Sequence, residues 1–115
     1  MATAGLQVFD LVKKLREIGV NSTCGASNIS FGLPNRHGIN SAFLPMAIAS
    51  GMTSAIMNPV NPSEMSSIRA ANLLNNNDPN GYAWIKSNRK SEDVDTNSSN
   101  VAKSDERRNR RRRRR

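Results

Sequence analysis

One cysteine, one histidine and 4% aromatic residues set the first limits on this chain of 115 residues. The lone Cys24 excludes an internal disulfide, and cysteine this sparse fits a reducing compartment. The lone His37 lies among loop-forming residues and reads as a surface side chain. With so few sulfur and imidazole groups, no metal-ligand spacing and no nucleophile–base pair can be read. No apolar run is long enough to span a bilayer. The N-terminus has no charged stretch followed by a continuous apolar core, so no signal peptide is read and the cytoplasm is the expected location.

What is abundant is positive charge, and it is unevenly placed. Residues 1–86 hold six Lys/Arg and four Asp/Glu, a net of +2, while residues 87–115 hold eleven and five, a net of +6. The composition changes at Ser87. Beyond it only Val94 and Val101 are large and apolar, too little to offset the entropy of ordering. Two regions are therefore expected: a folded domain over 1–86 and a disordered, arginine-rich tail over 87–115. The tail ends in Arg107, Arg108, Arg110, Arg111, Arg112, Arg113, Arg114 and Arg115. Such a run can bind RNA, DNA or an anionic membrane surface through counterion release. It has no interleaved aromatics, so any binding would be sequence-independent. A solvated tail, a low-complexity repeat or an appended tag explains the same composition without a function.

Within 1–86 the periodicity alternates. Val8, Val12 and Leu15 recur at helical spacing, with Leu11 and Ile18 widening the stripe, and Gly19 fits a stop. Small residues from Val20 to Asn28 predict an extended segment packed closely on both faces. Phe31 to Gly38 reads as loop. A second helix is predicted over 39–50, with Asn40 as a possible cap, ending at Gly51. Its Pro45 is awkward inside a helix, and costs little if the helix starts near Ser41 or Ala42, which puts it in the first turn. Ser54–Met57 is the next short strand. Asn61-Pro62-Ser63-Glu64 gives an N-cap, a proline at N1 and a glutamate at N3. That third helix carries Met65, Ile68 and Asn72 on one face and stops at the breaker cluster 75–81. Tyr82, Trp84 and Ile85 form a short apolar patch.

Helix, strand, helix, strand, helix argues for parallel α/β structure with right-handed crossovers. Two strands leave long unpaired edges. The expected fold is thus the C-terminal fragment of a (β/α)8 barrel, whose missing strands, or a second copy of the chain, would close it. Both strands run into Asn- and Ser-bearing loops, and barrel sites lie at that end.

The stretches Gly25–Arg36, Phe43–Ala47, Gly51–Pro59 and Ala70–Leu74 resemble the C-terminal part of methyltetrahydrofolate:corrinoid methyltransferases. These are pterin-binding barrels similar to dihydropteroate synthase and to the folate domain of cobalamin-dependent methionine synthase. The resemblance implies that residues 6–18 are the sixth helix, Thr23–Asn28 the seventh strand and Ser54–Asn58 the eighth. It makes Asn28 the catalytic amide that hydrogen-bonds the pterin around N5, the nitrogen that carries the methyl group. Ser27, Ser30 and Asn58 would line the substrate site. Without the resemblance, Asn28 reads as a strand-end turn residue, Ser27 as a packing residue and Asn58 equally as a turn residue. The implied activity is methyl transfer from methyltetrahydrofolate to the cobalamin of a separate corrinoid protein. A chain with these strands alone is expected to be inactive by itself. The alternative is a non-enzymatic product that binds polyanions through its tail.

Overall fold

The computed structural model describes residues 3–89. The expectations for the arginine run, and for most of the tail, lie outside the described residues. The chain divides into two units, Met1–Asn80 and Gly81–Arg115.

The first unit opens with α1, Ala4–Glu17. Val12 is buried, and Val8 and Phe9 pack beside it. The ring of Phe9 stacks on Phe43 with centroids 5.5 Å apart. The apolar stripe is narrower than the sequence suggests, since Leu11 and Ile18 are exposed. Only one side of α1 is covered by the rest of the fold. Gly19, at φ 79°, ends the helix as expected. Its N–H donates to Arg16 O, and the Val20 N–H donates to Leu15 O. These are the two bonds of a Schellman cap.

β1 is Thr23–Gly25, three residues shorter than the strand expected to reach Asn28. The chain then turns into a 3-10 segment, Ala26–Ser30. Packing decides this: Ala26 is wholly buried in the helical core, which pulls the backbone out of the sheet plane.

α2, Arg36–Ser50, starts three residues earlier than expected. Gly38, expected in the loop, lies in its first turn. A Cβ there would stand 2.7 Å from Asn35 Nδ2, so glycine lets Asn35 fold over the helix start. Asn40 is consequently an interior residue and not a cap. Pro45 falls mid-helix, where it has no N–H to give to Ser41 O. Burial of Phe43, Leu44 and Ala47 holds this helix despite the lost bond. Gly51 closes it at φ 111°, as the sequence suggests.

β2, Ser54–Ile56, pairs in parallel with β1 in the register Thr23↔Ser54, Cys24↔Ala55, Gly25↔Ile56. α3 follows at Pro62–Leu74, and Asn61 caps it by accepting from the Glu64 N–H at 3.0 Å. The breaker cluster ends it, with Asn76 and Asn80 in left-handed conformations that asparagine tolerates.

The result is α/β, with a two-stranded parallel sheet among the described residues. Cys24, Ala55 and Met57 pack into the helical core. The alternate residues Thr23, Ser54 and Ile56 face the open side, and Ile56 is 71% exposed. Among the described residues of this unit, the helices pack on the Cys24 and Ala55 face of the sheet. No described helix is long and apolar enough to cross a membrane.

In the second unit residues 82–89 are helical, which carries regular structure three residues past the composition change at Ser87. Ser87 Oγ and Asn88 Nδ2 both donate to Trp84 O at 2.9 Å, back-bonds that suit a helix.

Candidate functional site

The parallel register sends the residues after both strands to the same end of the sheet. Ala26–Ser30 follows β1 there, and Met57 and Asn58 follow β2. Asn28 and Asn58 therefore share the C-terminal edge, as parallel strands joined through a helix require.

Asn28 is exposed on the 3-10 turn. Its carboxamide folds back over the end of β1, and a Cβ on Gly25 would lie 3.0 Å from its Nδ2. Ser27 is exposed beside it, while its carbonyl accepts from Arg36 Nη2 at 2.8 Å. Ser30 is different in kind. It is wholly buried, its hydroxyl donates to Ser27 O at 3.1 Å, and it accepts from Arg36 Nε at 3.2 Å. Arg36 also lies over the Phe31 ring, 5.8 Å from its centroid. Ser30 and Arg36 thus hold the turn that presents Ser27 and Asn28. Asn58 accepts from the Val60 N–H through Oδ1 at 3.1 Å, the bond of an Asx turn.

A cavity of about 290 Å³ opens at this end, lined among others by Ser27, Arg36, His37, Asn40, Asn58 and Glu64. Ser27 and Asn58 come together there; Asn28 stands next to Ser27 on the same turn, and Ser30 lies beneath it.

Three of the lining residues form a network that sequence reasoning missed. Glu64 is only 1% exposed. Its Oε1 accepts from Asn40 Nδ2 at 3.2 Å and lies 2.9 Å from His37 Nδ1. The capping pattern suggested a glutamate reaching back to its own helix start. Instead Asn61 caps the Glu64 N–H while the Glu64 carboxylate crosses to α2. His37 is therefore helical and paired, not a loop residue, although its side chain stays 60% exposed. Spacing on α2 offered one signal: residues 37 and 40 lie on one helical face. Asn40 Oδ1 is buried without a hydrogen-bond partner among the described residues. An unmet buried acceptor costs about 1–3 kcal/mol.

A larger cavity, about 610 Å³, is lined by Gly51, Met52 and Thr53 ahead of β2, by Ser54 and Ala55 within it, and by Asn75 and Asn77 after α3. Met57 lines both cavities, and Arg16 is the charged residue in the lining of the larger one. Cys24 is outside the site. Its thiol donates to Met52 Sδ at 3.3 Å, and burial raises its pKa.

No protein-family model matches the chain. Over 69 residues it is 41% identical to a methylcorrinoid:tetrahydrofolate methyltransferase of Eubacterium limosum. The match covers 58% of this chain and 26% of that enzyme, so the chain spans about a quarter of its relative's length. The resemblance read from Gly25–Arg36, Phe43–Ala47, Gly51–Pro59 and Ala70–Leu74 is thereby borne out: this chain is similar to part of a methylcorrinoid:tetrahydrofolate methyltransferase.

Proposed function

We propose that this chain carries the strand-seven and strand-eight part of a pterin-binding (β/α)8 barrel, and that its site serves methyl exchange between a tetrahydrofolate and a corrinoid protein. The observation that carries the reading is Asn28, whose carboxamide lies over Gly25 at the C-terminal end of β1. A carboxamide both donates and accepts. Beside the pterin N5 it can follow that nitrogen as its charge changes during transfer. Ser27 and Asn58 would flank the pterin, with Ser30 supporting the turn from below. The cobalamin belongs to the partner protein, and methyltetrahydrofolate is a substrate.

The relative's name runs the transfer from methylcorrinoid to tetrahydrofolate. The sequence resemblance implies the reverse sense. One contact at N5 serves both, because forward and reverse transfer share a transition state. The exposed sheet face of Thr23, Ser54 and Ile56 would look into the barrel interior. With strands 23–25 and 54–56 alone, the chain builds one wall of such a site and is inactive by itself. Domain limits of 1–86 and 87–115 and a cytoplasmic location belong to the same reading.

Tetrahydrofolate titrated into the full chain tests it, with the Asn28 side-chain amide followed by NMR. One wall of a site should bind weakly, with Kd around 1 mM, about −4 kcal/mol. The Asn28 amide should shift saturably. A chain that leaves that amide unmoved at about 10 mM ligand contradicts the reading. A second reading, polyanion binding, is favoured by the run Arg107–Arg115, in which eight of nine residues are arginine.

A further inference from the structure

We infer that His37 is a proton-exchanging group of the strand-end cavity, its Nε2 presented by the buried Glu64 carboxylate to an N–H of a bound reduced pterin. This rests on the pterin reading above and names a residue that the resemblance does not supply.

The geometry carries it in three steps. An ionised carboxylate only accepts hydrogen bonds, so the 2.9 Å contact with Glu64 Oε1 places a proton on His37 Nδ1. In a neutral ring that leaves Nε2 with its lone pair, since imidazole then carries one proton. Nε2 has no hydrogen bond among the described residues, and His37 lines the cavity shared with Ser27 and Asn58. The carboxylate is itself fixed, because Asn40 Nδ2 donates to the same oxygen at 3.2 Å.

A mere staple between α2 and α3 would need only one donor at position 37. An imidazole adds a second nitrogen that a staple does not use. Burial supports the assignment as well. Glu64, 1% exposed, has His37 Nδ1 and Asn40 Nδ2 as the partners of one buried oxygen, so the contact fixes which ring nitrogen it engages. Arg36 is the other charged residue lining the cavity, and its guanidinium is bonded to Ser27 O and Ser30 Oγ. The sheet side contributes Ile56, Met57 and Asn58, and the 3-10 turn contributes Ser27; none of these is charged.

The step balances simply. A ligand N–H bond breaks and its electron pair stays on the ligand nitrogen. The proton joins Nε2, and Nδ1–H remains on Glu64. The reverse step returns the proton.

The full chain, ¹⁵N-labelled, is titrated with tetrahydrofolate while the imidazole nitrogens and the Asn28 amide are followed. The neutral His37 ring should be the Nδ1–H tautomer, and Nε2 should shift in step with Asn28. Glu64→Gln should mix the tautomers; an unchanged tautomer overturns the inference. His37→Asn keeps an N–H for Glu64 but removes Nε2. Binding should weaken about tenfold, the loss of one hydrogen bond, with unchanged far-UV circular dichroism. If Asn28 shifts and Nε2 does not, the inference falls and the pterin reading stands. If neither shifts, the pterin reading falls and takes the inference with it.

Discussion

The side chain of Asn28 crowds the place where residue 25 would carry a Cβ: an atom there would stand 3.0 Å from Asn28 Nδ2. Gly25 has φ −80° and ψ 98°, an ordinary extended conformation, so its lack of a side chain serves this contact and not the backbone. Gly25→Ala should therefore cost little stability, within about 1 kcal/mol. It should displace the Asn28 carboxamide by a few tenths of an ångström. The expected readout is an unchanged circular dichroism spectrum with a shifted Asn28 amide resonance and weaker tetrahydrofolate binding.

Pro45 sits inside α2 and leaves Ser41 O without its helical donor. Pro45→Ala restores that bond and should raise stability by up to about 3 kcal/mol, the difference between proline and alanine in a helix interior. Greater helical ellipticity at 222 nm and slower amide exchange across α2 would show it.

The Cys24 thiol is raised by burial, so the neutral form is favoured in the folded chain. The sign follows. Its contribution to stability is complete below the unfolded thiol's pKa and fades as pH rises through the higher folded value. Alkylation by iodoacetamide at pH 8 should accordingly be slower in the native chain than in urea. Its rate should keep climbing at alkaline pH after the unfolded chain has levelled.

Much of this was legible along the chain. Gly19, Gly51 and the Asn61-Pro62-Glu64 start signal act within a few residues of themselves, and each ends or begins a helix where local chemistry says it should. The end of β1 was not legible, because Ala26 leaves the sheet only when α2 is there to bury it. The start of α2 was hidden by Gly38, whose role is to clear Asn35. The parallel strand ends placed Asn28 and Asn58 at one edge of the sheet, while the role expected of Asn28 came from the resemblance. Glu64 and His37, 27 residues apart, meet only through the packing of α2 on α3. Ser30 looked like a site residue, yet its hydroxyl faces Ser27 O and Arg36.

Among the described residues the sheet has two strands, so each has one edge without a strand partner, and Ile56 is 71% exposed. Without partner strands the isolated chain should melt broadly, or associate through those edges. A sharp thermal transition for a species that sediments as a monomer would argue against an incomplete barrel.

The arginine run should act independently of Asn28. If about six arginines meet duplex phosphates, the log–log salt slope should approach roughly −5. Deleting Arg107–Arg115 should abolish binding, and Asn28→Ala should leave it unchanged. Binding that survived the deletion would place the interaction elsewhere.

The most direct measurement is complementation. The Eubacterium limosum relative, lacking the stretch that this chain matches, is mixed with the chain, and methyl transfer is followed by corrinoid absorbance. The chain should restore transfer, and Asn28→Ala should restore it about 100-fold less well, the scale of losing a positioned transition-state donor. A chain that assembles with the truncated enzyme yet restores nothing, or an Asn28→Ala chain that restores as much as the native one, would contradict the assignment of Asn28 to the transferring nitrogen.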